Sequence, residues 1–281
     1  MTVTSVSAPG SSANLGAGFD VLGLAVARRA EVGVGDPPER AQPAPETHPA
    51  SVAHRAAGGD GEVWVRSGLP MGRGLGYSGA VRVAGAMLAL VARHGPTAAD
   101  DPVRRREVLD LVTGLEGHPD NAAASVHGGL VIAMDDRVTP VPISPELGLL
   151  VWVPEATTST DQSRTRLDPM VERRAAVFNI GAAATFVVSC IDGDVEGLRA
   201  GCRDRLHQSV RLGLSPDSAR VLDAFGDAGA AAWLSGSGPT VAALVASASL
   251  PDVVSALDGS VLAGGRLDEI GIDRRGVAVG P

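Results

Sequence analysis

Residues 67–91, SGLPMGRGLGYSGAVRVAGAMLALV, decide how the rest of the chain reads. Gly72, Gly74, Gly76 and Gly79 crowd into one short loop around Arg73, and a helical pattern follows at once. Glycine reaches positive φ and lets backbone N–H groups come close to a ligand. A helix starting there adds unpaired N–H groups and the positive end of its dipole, so the stretch suits phosphate. Val81, Ala84, Gly85, Leu88 and Val91 share one face, and the spacing predicts a helix over 78–93. Ser78 stands where a hydroxyl reaches a metal ion on such a phosphate. A Gly-rich strand-to-helix turn without a ligand fits the same residues. EVWVRS, residues 62–67, alternates as the strand that delivers the loop.

Composition narrows the chemistry that loop can do. All 24 Lys and Arg residues are Arg. A P-loop, a protein kinase and a Schiff-base enzyme each need a Lys, so none of these fits. Phosphate is left to backbone, Arg and a metal. The net charge of −8 argues against a nucleic-acid partner. No apolar run approaches the roughly 20 residues of a membrane span. The start MTVTSVSAPG lacks a charged, apolar leader, so no membrane partner and a cytoplasmic setting are expected. Cys190 and Cys202 match neither a zinc spacing nor a C-x-x-C pair, and two inert, reduced thiols are expected.

Aromatics make up only 3% of the 281 residues, so the core must be aliphatic and rich in Ala. Residues 2–8 alternate like a strand, then PGSSANLGAGFDVLGLAV places Asn14 and Asp20 beside Gly16 and Gly18. Asn and Asp also serve turns for local reasons, so a structural role for both stays open. Five prolines within 37–49 forbid a regular element there and make 35–61 an exposed loop, with a short helix possible over 50–57. Asp101 caps a helix with Pro102 at its first position, and Val108, Leu111, Val112 and Leu115 form its apolar stripe. That helix ends at Glu116, where the dipole slightly disfavours a carboxylate, which hints at a cation partner. LLVWV, 149–153, opens a second half. A helix near 170–190 carries Ala175, Phe178 and Ala182 on one side, and SGSGPT, 235–240, turns between two strands. The reading is α+β in two lobes, 1–143 carrying the phosphate loop and 144–281 completing the substrate site.

Three stretches in order resemble one known family. SSANLGAGFDVLGLA (11–25), GRGLGYSGA (72–80) with EGHPDNAAASVHGGL (116–130), and LSGSGPT (234–240) are similar to the three motifs of the galactokinase, homoserine kinase, mevalonate kinase and phosphomevalonate kinase (GHMP) superfamily. The SANLG-x-GFD and EGHPDN wording is most similar to the homoserine kinases, which make O-phospho-L-homoserine from homoserine and ATP in threonine biosynthesis. The resemblance implies the two-lobed GHMP-kinase fold, a ribosomal-protein-S5-like first domain and a ferredoxin-like second one, in a homodimer. It implies ATP on Gly72, Arg73, Gly74, Leu75, Gly76, Tyr77, Ser78 and Gly79. Mg²⁺ is implied on Ser78 and Glu116, with Ser78, Glu116 and Asn121 as catalytic residues. Asn14, Asp20, His118 and Asn121 match residues of the homoserine pocket. Thr160 and Arg164 match an S-T-x-x-x-R segment and Arg211 an Arg downstream of it, both Arg serving the substrate carboxylate, and Gly236 with Ser237 and Gly238 closes the site. Arg suits a carboxylate through planar bidentate pairing. Homoserine kinases lack the Asp base and Lys of mevalonate kinases, as this lysine-free chain does.

Two departures stand out. Tyr77 and Gly79 replace a Ser and an Ala of the motif, so one hydroxyl contact to phosphate is missing. The 35–61 segment, where the family builds part of its adenine pocket, is short and Pro-rich. Trp64 or Tyr77 offers a face for adenine, though either also reads as an ordinary core or surface aromatic. A kinase for another carboxylate-bearing alcohol (shikimate or pantoate) and a non-catalytic nucleotide- or metabolite-binding relative remain the alternatives.

Overall fold

The structure is a computed structural model that describes residues 5–135, 137–157, 165–257 and 259–280. Two sheets organise it. The first runs in the order β11-β1-β2-β4-β3, with β5 paired to β2 and β6 to β5. Its strands are β1 Ser5–Ala13, β2 Leu22–Val34, β3 Gln42–Ala44, β4 Val63–Ser67, β5 Leu130–Met134, β6 Arg137–Val141 and β11 Ala278–Val279. The long β2 shares its length between neighbours, pairing β5 through Leu22–Leu24 and β4 through Ala30–Val34. The second sheet has the antiparallel order β10-β7-β9-β8, built from β7 Leu147–Pro154, β8 Ala231–Leu234, β9 Val241–Ala246 and β10 Gly265–Ile270.

The helix expected over 78–93 spans Tyr77–His94 (α2), and its Val81, Ala84, Leu88 and Val91 lie in the core with Met87 and Leu90. It packs on β1 and β2, between α1 (Pro49–Ala56), α3 (Pro102–Glu116) and α4 (Asp120–His127). Asp101 caps α3 by accepting from the Val103 amide, as the sequence indicates. Leu115, expected in the apolar stripe, is instead 38% exposed and lies on a cavity wall, while Leu109 takes a buried place.

The second lobe adds α5 (Arg173–Asp192), α6 (Val195–Gly201), α7 (Gln208–Leu212), α8 (Pro216–Asp227) and α9 (Leu250–Ala256). The side of α5 expected to carry Ala175, Phe178 and Ala182 is the one that turns inward: Asn179, Ala182, Phe186, Ser189 and Cys190 are buried, and Ala175 and Phe178 are half-buried beside them.

Three further expectations need correction. The proline-rich segment holds a strand after all: β3 pairs at the sheet edge with Pro43 opposite Trp64, a place where a missing N–H is tolerated. Within 35–61 the short helix held possible over 50–57 is present as α1, which buries Ala50 and Ala53 and packs on α2. The chain also does not stay in the second lobe to its end. The expected division falls between β6 and β7, yet β11 returns to pair with β1 and Ile272 bridges to Val26. A two-residue strand is too short to leave a pattern in sequence. Finally, α5 is long and apolar enough, by length and composition alone, to cross a membrane, with mean hydropathy 1.7 and 28% of that window buried. The polar Asn179 and Thr185 hide that run from a search for uninterrupted apolar letters.

Candidate active site

A cavity of about 480 Å³ opens where α2 begins. Its wall brings together Gly72–Gly79, Arg82, Leu115, Glu116, His118, Asp120 and Asn121 with Asn14, Asp20, Arg211, Gly236 and Ser237. The glycines make the cradle possible. Gly76 caps α2 at φ 64°, and a Cβ there would meet the Ser11 hydroxyl at 2.1 Å. Gly74 stands at φ 76°, where a Cβ would lie 2.3 Å from the Ser235 carbonyl oxygen. The Ser235 hydroxyl in turn donates to the Gly74 carbonyl at 2.6 Å. The loop is thus clamped between the first and third motifs, with backbone where side chains would collide.

Ser78 and Glu116, far apart in sequence, meet across the start of α2 and the end of α3. Burial pushes the Glu116 carboxyl upward in pKa, while the Ser78 hydroxyl, His118 and Arg82 favour its ionised form. Arg82 Nε lies 3.4 Å from the carboxylate, whose side chain is 9% exposed. His118 Nδ1 is 2.7 Å from Asp120 Oδ1, and the Asn121 backbone N–H donates to the same oxygen at 2.9 Å. The contact with Asp120 fixes the orientation of the His118 ring at the cavity wall. Asn121 accepts from the Ser11 hydroxyl at 2.9 Å and donates to Asp120 at 3.3 Å. Its amide is held within a network, and an amide has no basicity to lend.

The opposite wall is assembled from both lobes. Asn14, at φ 72°, donates to the Gly236 carbonyl at 2.8 Å and accepts from the Asp20 amide at 3.1 Å. Arg211 is 3% exposed, donates to the Gly236 carbonyl at 3.2 Å and lies 5.2 Å over the Phe19 ring. Asp204, absent from the sequence reading, fixes this wall. Its carboxylate accepts from the Leu206, His207 and Gln208 amides and from the Asn179 side chain, at 2.7–3.1 Å. Burial opposes that charge, but the nearby His207 and these hydrogen bonds outweigh it and hold the Asp204 pKa below the usual range. His207 donates from its backbone to Asp204, and its Nε2 pairs with the Gly16 carbonyl at 2.8 Å. Burial keeps its pKa low.

The other expected residues are placed less simply. Arg73 lines the cavity, but its guanidinium donates to the carbonyls of Pro154, Met71 and Glu155, fastening the loop to β7. The Tyr77 phenol oxygen pairs with His48 Nε2 at 3.1 Å, while His48 Nδ1 accepts from the Ala50 amide. Trp64 is 5% exposed and donates to the Val34 carbonyl, so it belongs to the core and offers no face to adenine. Thr160 and Arg164 lie outside the described residues. Both thiols are buried, with Cys190 pushed up to about 12 and Cys202 raised, so both are protonated at neutral pH.

Residues 49–129 match the GHMP kinases N terminal domain, and residues 186–259 the GHMP kinases C terminal. A homoserine kinase from Thermus thermophilus is 33% identical over 279 residues, spanning 89% of each chain. One from Corynebacterium glutamicum is 34% identical over 278 residues, spanning 89% of this chain and 87% of the relative. This chain belongs to the homoserine kinase family of GHMP kinases. The fold agrees with that membership. A crystal structure of homoserine kinase from Cytophaga hutchinsonii superposes with a TM-score of 0.80 at 23% identity, covering 99% of this chain and 98% of the other. A mevalonate kinase superposes at 0.68 with 11% identity, over 96% of this chain and 99% of the other. As GHMP-kinase motifs, the loop at 72–79, the 116–121 turn and the 234–240 turn now form three sides of one cavity.

Proposed function

We propose that this chain transfers the γ-phosphoryl group of ATP to the hydroxyl of L-homoserine, with Mg²⁺ at Ser78 and Glu116. The supporting observation is the joining of two chemistries in one cavity: a glycine cradle at a helix N-terminus, and a wall that carries both Arg211 and Asp20. Backbone N–H groups of 72–79 and the α2 dipole hold the phosphates. Ser78 and Glu116 offer hydroxyl and carboxylate oxygens, a hard donor pair that suits an ion sharing its remaining positions with water and phosphate. The cost of burying the Glu116 charge also fits a cation at this place. When bound, the ion supplies charge neutralisation at the phosphates.

Arg211 takes the acceptor carboxylate through charge-assisted hydrogen bonds, and Asp20 takes its ammonium. His118, Asn14 and Asn121 orient the remaining hydroxyl. Phosphoryl transfer asks mainly for positioning and charge, so the lack of a strong base is tolerable. A panel of alcohols assayed for ADP release tests this reading. Homoserine should lead, and its analogue lacking the amine should be poor, because it offers Asp20 no ammonium to bind. Preference for shikimate or pantoate would move the assignment to another acceptor, and nucleotide binding without turnover would favour a sensor.

A homodimer is part of the same proposal. Val177, Ile180, Ala184, Val188 and Ile191 form one exposed stripe on α5, with open space beside Gly181. Arg173 and Arg174 lie at one end of the helix and Asp192 at the other. Two copies packed antiparallel along this stripe would set each Arg end against an Asp end.

A further inference from the structure

The cavity holds a cation that no motif accounts for. Arg82 lies one turn beyond Ser78 on the same face of α2. Its Nε stands 3.4 Å from Glu116 Oε1, buried and without a hydrogen-bond partner. The side chain keeps 19% of its surface open and lines the cavity beside Tyr77 and Ser78. The other two guanidiniums of the cavity wall, among the described residues, are committed elsewhere. Arg73 has its three nitrogens on carbonyls of Met71, Pro154 and Glu155. Arg211 belongs to the opposite wall, over Phe19 and against Gly236.

The loop has also lost a phosphate donor. Where the motif resemblance places a Ser hydroxyl, Tyr77 carries a phenol that is turned to His48. A lysine-free loop with one hydroxyl fewer still has to neutralise a triphosphate. An arginine aimed into such a cradle is the side chain best suited to do it, being permanently charged and able to offer parallel N–H donors.

We propose that Arg82 is a further catalytic residue, which Glu116 holds ready to contact the γ-phosphate of ATP. The proposal rests on the ATP reading of this cavity. In the transfer, the acceptor oxygen bonds to the γ-phosphorus as the bond from that phosphorus to the β,γ-bridging oxygen breaks. ADP leaves with that electron pair, and the hydroxyl proton passes to an oxygen of the transferred group. Arg82 stays protonated throughout and stabilises charge on the phosphoryl oxygens. Glu116 thereby has two cationic neighbours to arrange, the ion and Arg82, and its buried position between Ser78 and Arg82 fits that double duty.

The test compares the whole chain with Arg82→Ala by calorimetry, titrating ADP and the β,γ-imido analogue of ATP in EDTA. The wild type should bind the triphosphate analogue more tightly, and Arg82→Ala should reduce that preference by about tenfold or more. Its kcat should fall by a factor on the order of 10² or more. Should the alanine variant melt below the assay temperature, Arg82→Gln carries the same expectation, since it keeps stem and donor while removing the charge. An unchanged triphosphate preference would overturn the proposal. So would a kcat that recovers at raised Mg²⁺, because Arg82 would then only position Glu116 for the ion. A wild type that binds neither nucleotide would instead bring down the ATP reading itself.

Discussion

Helices α2 and α5 are both long and rich in Ala and Val, yet the fold uses them oppositely. In α2 twelve of eighteen residues are buried, and the helix runs through the first core with its N-terminus on the cavity. In α5 five of twenty are buried, and Ile180 is 71% exposed. Apolar composition made both helices, but it did not decide which faces would be covered. Coverage came from neighbours: α1, α3, α4 and the sheet surround α2, whereas among the described residues α6 and the second sheet take one side of α5. The apolar stripe left open on α5, while α2 is enclosed, is the feature on which the proposed homodimer contact rests.

The comparison can be strained at its catalytic end first. Glu116→Gln, facing the start of α2, should lower kcat by a factor on the order of 10² or more, since charge neutralisation at the transferring group is lost. Near-normal turnover at ordinary Mg²⁺ would remove Glu116 from that role. The packing contrast comes next and needs only one methyl group. At Gly85 of α2 an added Cβ would lie 2.5 Å from the Ala50 carbonyl oxygen, whereas at Gly181 of α5 it meets nothing within 4 Å. Gly85→Ala should therefore destabilise by roughly 1–3 kcal/mol. Gly181→Ala should stabilise by about 0.5–1 kcal/mol through helix propensity. Thermal or urea unfolding that gave both changes the same sign would break the distinction.

Acid should act around α2 and the cavity rather than along α5, which carries no His. Burial lowers the pKa values of His48, His127 and His207, with Arg82 adding to the effect at His48, Arg105 at His127 and Arg211 at His207. Each ring therefore binds its proton less readily folded than unfolded. Stability is fully present above the unfolded value near 6.5 and declines as pH falls through it. The Tm should drop between about pH 7 and 5.5; a flat Tm would mean these rings protonate in the folded state at no cost. Asp204 follows the carboxylate rule, its contribution being lost only below about pH 4.

The smallest effect on the folded subunit is expected from Ile180→Asp, within about 0.5 kcal/mol because the side chain is already in solvent. Its consequence should appear in mass instead. Sedimentation of the wild type as a dimer and of the variant as a monomer would support the α5 stripe as the contact. A dimer that survives the charge would place the interface elsewhere.

How legible each region was in the sequence follows the same physical line. The phosphate loop was readable because its constraints are local: positive φ at Gly74 and Gly76, a helix start at once after them, and a backbone that must approach others closely. The α2 stripe was readable because one helix face repeats at a fixed spacing. Arg82, Asp204 and Asn179 were not, because each takes its meaning from a partner distant in the chain or from a fold-made cavity. Arg73 was legible as a residue but not as a role, since its partners Pro154 and Glu155 belong to the other lobe. The edge strand β3 was hidden because proline forbids a central strand and only topology makes the edge available.

The sequence by itself determined a lysine-free, glycine-rich loop at the start of a helix, within three ordered GHMP-kinase motifs spread over an α+β chain. Loop dihedrals, caps and helical period are properties of neighbouring residues, and they need no fold to be read. Tertiary structure alone decided which carboxylate meets which cation, which arginine staples lobes and which faces the cavity, and where the chain's end returns. Those outcomes depend on distances between residues tens to hundreds of positions apart, which arise only when the sheets and helices pack.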